Sequence, residues 1–377
     1  MDIFQIHSQI VADYKSYIRS FINIKDTAIR NAVETELEKG RLWPEPLIQF
    51  NPAFEIFGGV VEVAKQEKLC SEFNDIFKGF RVCHHAPTMI WTFNEARARG
   101  YAVDEQARSE ITTWAFGDMK TNSLTEQAPP RNVINLGWVY VLLSMEAAPE
   151  FQQARSLERP PPATTGILAD TNADAILSAR RTLIHQIVSK QAADGSWGQP
   201  LDERVPLGGP VEDIVILSRL ALLQSGDSSQ AVTDSMRKAA EWLAANRVKT
   251  SRQGRNLRLL MDVCEGKRAS DMKSGVASVS AEQNSDGGWS QTPDMPSDAY
   301  ATGQTLYVLA RAGCTPEDPH MQRGVDFLTR SQRADGSWPM ISRVHAKNLD
   351  PITAAGTGWA VLGLLRGSPA RASASGP

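Results

Sequence analysis

The sequence predicts an all-α fold, an α/α-toroid of about six helical hairpins preceded by an N-terminal helical extension. Three observations predict it. The pattern Q-x-x-D-G-[S/G]-W occurs at residues 191–197, 283–289 and 332–338. Its copies are spaced by multiples of one period, and the region that holds them has no convincing run of alternating apolar and polar residues to suggest a strand.

The spacing gives the size of the repeat. Gln191 and Gln283 lie 92 residues apart and Gln283 and Gln332 lie 49 apart, so the larger gap spans two repeats. A degenerate copy fills it, because residues 236–243, MRKAAEWL, have the same amphipathic character as residues 321–328, MQRGVDFL, which lead into the last motif. A period of 46 to 49 residues is that of stacked helical hairpins. Residues 83 to 368 number 286, room for about six of them, enough to close a ring.

Each motif is followed by a second helix, richer in apolar and small residues, over 211–223, 301–312 and 352–365. Such helices are packed on several sides and form the inner wall. The motif itself reads as scaffold. Asp-Gly supplies a tight turn with a residue free to take positive φ, the glutamine amide bonds backbone at the helix end, and the indole packs over it. The structural residues are therefore Gln191, Trp197, Gln283, Trp289, Gln332 and Trp338.

Three segments organise the chain: a helical leader over 1–78, the toroid over 79–368 and a disordered tail over 369–377. In the leader, Ile6, Ile10, Tyr14, Tyr17, Ile18 and Phe21 form one helix face, and Ile29, Val33 and Leu37 a second before Gly40 and the Trp43-Pro44-Glu45-Pro46 break. Within the toroid, the triple proline of residues 158–166 cannot continue a helix and reads as a surface loop.

A formal net charge of −3 on 377 residues gives no broad attraction for phosphate, so nucleic acid is not an expected partner. Four scattered cysteines, Cys70, Cys83, Cys264 and Cys314, read as reduced thiols rather than a disulfide framework. Asp2, Asp13, Lys15 and Arg19 interrupt the apolar residues of the start, and no apolar stretch reaches membrane-spanning length. A cytoplasmic location follows as an expectation, with peripheral membrane contact left open.

The opening, MDIFQIHSQIVADYKSYIRSFINIKD followed by LWPEPLIQFNPAFE, resembles over residues 1–77 the leader that precedes the motor in certain bacterial DEAD/DEAH-box helicases. The chain has no match to the P-loop G-x-x-x-x-G-K-[ST], which excludes helicase activity and leaves the leader as a partner-docking element or a helical appendage, a fusion in origin. Over residues 84–366 the motifs resemble the QW repeats of squalene-hopene cyclases and, more distantly, protein prenyltransferases. The match is closest where Asp286-Gly-Gly-Trp289 leads through the small-residue helix from Asp298 to the third motif.

This resemblance implies an isoprenoid or other apolar ligand in a central cavity, with cyclase or isomerase chemistry started by a protonated acid. The family's D-x-D-D motif is not intact. The acidic candidates are Glu212 and Asp213, at the head of the 211–223 helix, and Asp298; the alternative reading makes them helix N-terminal carboxylates favoured by the dipole. Of the two neighbours, Asp213 lies closer to the helix body. Trp91, Trp138, Tyr307 and Trp359, with Trp114 and Tyr140, are candidates to line the cavity and stabilise cations through their π faces, or else plain core.

A zinc-dependent prenyltransferase is the weaker alternative. Asp262-Val-Cys264 has the first half of that family's ligand spacing, but Tyr300-Ala301 stands where the family has Tyr-His. Cys83-His84-His85 resembles the end of a C-x-x-C-H haem attachment, with Phe80 in the place of the first cysteine. No metal or cofactor is expected, and a non-catalytic toroid that binds a ligand or a protein is the alternative to an enzyme.

Overall fold

A computed structural model describes residues 85–101, 136–146, 173–198, 211–246, 251–333, 336–338 and 353–368, with 103, 108, 134 and 340. The leader, the triple-proline loop, Trp114 and the 369–377 tail lie outside the described residues, as do Cys83 and His84. Ten helices are described: α1 (His85–Ala98), α2 (Leu136–Glu146), α3 (Ala173–Ser189), α4 (Val211–Ser225), α5 (Gln230–Ala245), α6 (Arg252–Cys264), α7 (Ala269–Ser280), α8 (Ala299–Arg311), α9 (Pro319–Ser331) and α10 (Thr353–Gly367).

Six of them form a closed inner ring. Helix α1 packs on α2, α2 on α4, α4 on α6, α6 on α8, α8 on α10, and α10 returns to α1. Outside it, α3 lies against α2, α4 and α5; α5 lies against α4, α7 against α6, and α9 against α8 and α10. The all-α expectation holds among the described residues, and the inner helices follow each motif where the composition placed them.

Burial explains the two compositions. In α8 every residue from Ala299 to Leu309 is buried, whereas α9 buries Met321, Gly324 and Leu328 and α5 buries Val232, Ser235, Ala239 and Leu243. The outer helices thus show one apolar stripe at three- and four-residue steps, while an inner helix is enclosed all round.

The QW turns repeat bond for bond. Trp197, Trp289 and Trp338 donate their indole N–H to the carbonyls of Ile187, Val279 and Leu328, at 2.7, 2.9 and 2.8 Å, on the outer helix just ended. Each glutamine Nε2 bonds the glycine carbonyl of its own turn, at 3.0 Å for Gln191, 2.8 Å for Gln283 and 3.1 Å for Gln332. Gln191 also bonds the Ser235 carbonyl of α5 at 2.9 Å, and Gln283 the His320 carbonyl of α9 at 2.9 Å. Each of these two turns therefore staples the next outer helix, a contact the motif alone did not announce. Ser235 and His320 are equivalent when residues 236–243 are set on 321–328, so the docking confirms the repeat alignment.

Glycine is required twice over in this turn. Gly195 and Gly287 have φ of +93° and +88°, and a Cβ on Gly287 would lie 2.6 Å from the Arg323 carbonyl oxygen, with Gly195 against the equivalent Lys238 carbonyl.

At one place two inner helices touch through their backbones. A Cβ on Gly303 of α8 would collide with the Trp359 carbonyl of α10, and one on Gly363 of α10 would lie 2.6 Å from the Gly303 carbonyl oxygen. Neither wall can yield without parting the ring. Gly303→Ala is expected to destabilise the chain by about 3 kcal/mol or to prevent folding. Gly275→Ala on α7, whose Cβ would meet the Leu259 side chain at 3.3 Å, is expected to change stability by less than about 1 kcal/mol. Urea unfolding of the two variants beside the parent checks this, and equal losses would refute the backbone contact.

Candidate functional site

From α2 onward the described inner helices alternate with outer ones and so run parallel, which gives the ring an N-terminal rim, an aromatic centre and a C-terminal rim. The acidic candidates lie on the first of these. Asp213 is fully buried, and both its oxygens accept from Ser251 Oγ, at 3.2 and 3.1 Å. Ser251 is also the N-cap of α6, its Oγ accepting from Gly254 N at 2.8 Å. Glu212, 4% exposed, accepts from Arg258 Nε of α6 at 2.5 Å.

Asp298 is the N-cap of α8. Its Oδ1 accepts from Ala301 N at 2.7 Å, and its Oδ2 from the Gln291 side-chain amide. All three carboxylates are engaged: Glu212 and Asp213 tie α4 to α6, and Asp298 starts α8. A hydroxyl or amide that donates to a carboxylate favours its charged form.

The described aromatic candidates are buried, Trp138 on α2 among them. Trp91 of α1, Tyr307 of α8 and Trp359 of α10 meet edge to face, with centroids 5.6 Å apart for Trp91 and Tyr307, 5.5 Å for Trp91 and Trp359, and 6.0 Å for Tyr307 and Trp359. Tyr300 adds a fourth ring, 6.3 Å from Trp359. Such arrangements align ring edges with ring faces. The indole N–H groups of Trp91 and Trp359 are buried without a hydrogen-bond partner.

Against this cluster lies a charged group that the motif reading missed. Glu95 of α1, 4% exposed, receives Arg366 of α10 in a bidentate pair, Nε to Oε2 and NH2 to Oε1, both at 2.9 Å. Tyr307 donates its hydroxyl to Glu95 Oε1 at 3.0 Å and accepts from Arg311 at 3.0 Å. Arg311 and Arg366 also stand 5.8 and 5.9 Å from the Tyr307 ring centre. Burial and then the Glu95 charge push the Tyr307 hydroxyl far above its ordinary pKa, so it stays a hydrogen-bond donor through the neutral range. The only signal in the sequence was an acid, Glu95, inside a helix with a buried face.

The zinc-type residues are not gathered. Asp262 pairs with Lys267 at 2.6 Å, Cys264 accepts from Gln224 Nε2 at 3.3 Å, and Tyr300 donates to Gln253 Oε1 at 3.1 Å. Cys264 lies eleven residues beyond Gln253 on α6, roughly 16 Å along the helix. Among the described residues no group of three or more His, Cys, Asp or Glu side chains is placed to hold a metal. Nor, among them, is any helix long and apolar enough to cross a membrane.

A closed ring of helical hairpins with QW turns and an aromatic centre defines a terpenoid-cyclase-like repeat protein. Residues 252–376 match the family model of the squalene-hopene cyclase C-terminal domain. A squalene-hopene cyclase of Bradyrhizobium diazoefficiens is 31% identical over 104 residues, which cover 26% of this chain and 16% of that protein. These C-terminal repeats are similar to those of squalene-hopene cyclases, and the alignment spans less than a fifth of that relative. Two solved chains described as glycosidase variants, one in complex with glucose, superpose at TM-scores of 0.46 and 0.47 with 10% identity, over 84% of this chain and 98% of theirs.

The Glu95 pair is expected to behave as a buried ion pair. Glu95→Ala strands Arg366 and costs about 3 kcal/mol, while the double change Glu95→Leu with Arg366→Met recovers most of that loss. Urea unfolding of the single and double variants measures it. Equal losses in the two would remove the coupling.

Proposed function

We propose that the ring binds an apolar ligand of isoprenoid type against its aromatic centre. The observation that carries the reading is the convergence of Trp91, Tyr307 and Trp359 from three inner helices. The squalene-hopene-cyclase-like character of residues 252–376 supports it. Aromatic faces suit both an alkene and any cation formed from it. A ligand of this kind partitions into lipid, which makes peripheral contact with a membrane surface the natural route of delivery.

Cyclisation or isomerisation is a second reading. Its support is Asp213, a fully buried carboxyl on the inner wall. Against it stand Ser251, whose hydroxyl favours the anion, and Glu212, neutralised by Arg258. Binding without chemistry is therefore placed first.

Tryptophan fluorescence titrated with squalene and farnesol, with product analysis after incubation with squalene and prenyl diphosphates, tests both. Saturable quenching lost in Trp359→Leu is expected, with substrate recovered unchanged. Quenching that persists in Trp359→Leu refutes the aromatic site. A cyclised product lost in Asp213→Asn would establish the second reading instead.

A further inference from the structure

We propose that a notch between the N-terminal ends of α6 and α8, beside the aromatic centre and with Tyr300 common to both, binds the carboxylate of a small acid. The site follows from what the degenerate repeat lacks. From the acceptors of the QW indoles to the next inner helix the chain runs 24 residues from Ile187 to Val211, 20 from Val279 to Ala299 and 25 from Leu328 to Thr353. From Leu243, the residue equivalent to Leu328, to Arg252 it runs 9. Neither the QW turn nor its loop is present in the sequence between them.

The groups facing the notch are donors in excess. Gln304, 1% exposed, accepts from Asn256 Nδ2 on its Oε1 at 3.3 Å, which leaves Nε2 buried in the notch wall without a hydrogen-bond partner. Asn256 Nδ2 also bonds Thr305 Oγ1, at 2.9 Å. Arg252, the first residue of α6, directs NH1 to the carbonyl and hydroxyl of Ser290, while its Nε has no hydrogen-bond partner. Glu282 is the one acid in the lining; Arg255 is paired to it, and Arg252 Nε is 3.9 Å from it. The three charges leave one net positive.

The first turns of α6 and α8 meet the same notch; α6, capped by the neutral Ser251, adds the positive end of its dipole, while that of α8 is met by the Asp298 carboxylate. A ligand that both donates and accepts would find few acceptors. A carboxylate, acceptor on every lone pair, matches the set. The enclosed space is only about 10 Å³, room for one ligand oxygen, so a carboxylate would enter head first with the rest of a small acid in the open mouth.

The test uses the full chain labelled with 15N-glutamine. Propionate and propionamide are titrated separately at constant pH and ionic strength, and the side-chain NH2 resonance of Gln304 is identified by its loss in Gln304→Glu. A saturable shift of that resonance with propionate and none with propionamide is expected. By calorimetry Gln304→Glu, isosteric and still able to accept from Asn256, should lower propionate affinity roughly tenfold or more. Arg252→Met supplies the same loss should Gln304→Glu fail to fold, and squalene quenching should stay as in the parent. Equal responses to the two ligands, no saturable shift, or unchanged affinity in the folded variants would overturn the proposal.

Discussion

The QW turn is the constraint on which the rest of the ring depends. A single seven-residue segment ends one outer helix, anchors its indole back on that helix, and in two described copies extends a glutamine amide to the next. A third attachment runs inward: Trp289 N donates to Thr302 Oγ1 of α8 at 2.9 Å, and Trp338 N to Thr357 Oγ1 of α10 at 3.0 Å. Three helices are thus fixed by one turn, and fixing them sets the angle between neighbouring hairpins. Repeated around a circle, that angle decides whether the last inner helix meets the first. Here α10 does meet α1, and the Gly303 and Gly363 contact shows how close the inner wall is drawn.

Closure with parallel inner helices has an electrostatic consequence. The helix dipoles add instead of cancelling, so one rim is positive and the other negative. The side chains answer this. Glu212, Asp213 and Asp298 stand at helix N-termini, while Arg311 and Arg366 stand in the last turns of α8 and α10. Arg99, just past α1, is likewise on the C-terminal rim, where burial and then the Arg366 charge lower its pKa. The same field bears on catalysis. An acid that must hold a proton is opposed by the positive ends of its own and neighbouring helices, and Asp213 has a hydroxyl donor on both oxygens as well. This arrangement is why ligand binding precedes cyclisation in the functional reading.

The sequence revealed the repeat because its turn chemistry is local. Gly195 and Gly287 need positive φ, their tryptophans fill a fixed groove, and such demands leave a pattern in the letters. Asp298 was legible too, since an N-cap acts within its own turn. Glu95 and Arg366 were not, being 271 residues apart and joined only when the ring closes. The stapling by Gln191 and Gln283 was hidden for the same reason. Nor could helical spacing show that Tyr300, noted beside the place of a zinc histidine, would join the aromatic centre.

The degenerate repeat is the place where this logic is broken. Gln191 holds α5 and Gln283 holds α9, but the segment after α5 has no glutamine turn to hold α7. Without that staple α7 relies on its packing against α6 and on the Glu282 ion pairs. A ring that depends on stapled turns therefore has one seam, and the polar residues Gln253, Asn256 and Gln304 lie beneath it. A hydrocarbon-lined repeat would have closed such a gap with apolar side chains, because an unpaired amide such as Gln304 Nε2 in an enclosed wall costs free energy. The retention of these polar residues where the scaffold turn is missing makes the seam a site in its own right rather than a flaw in the repeat.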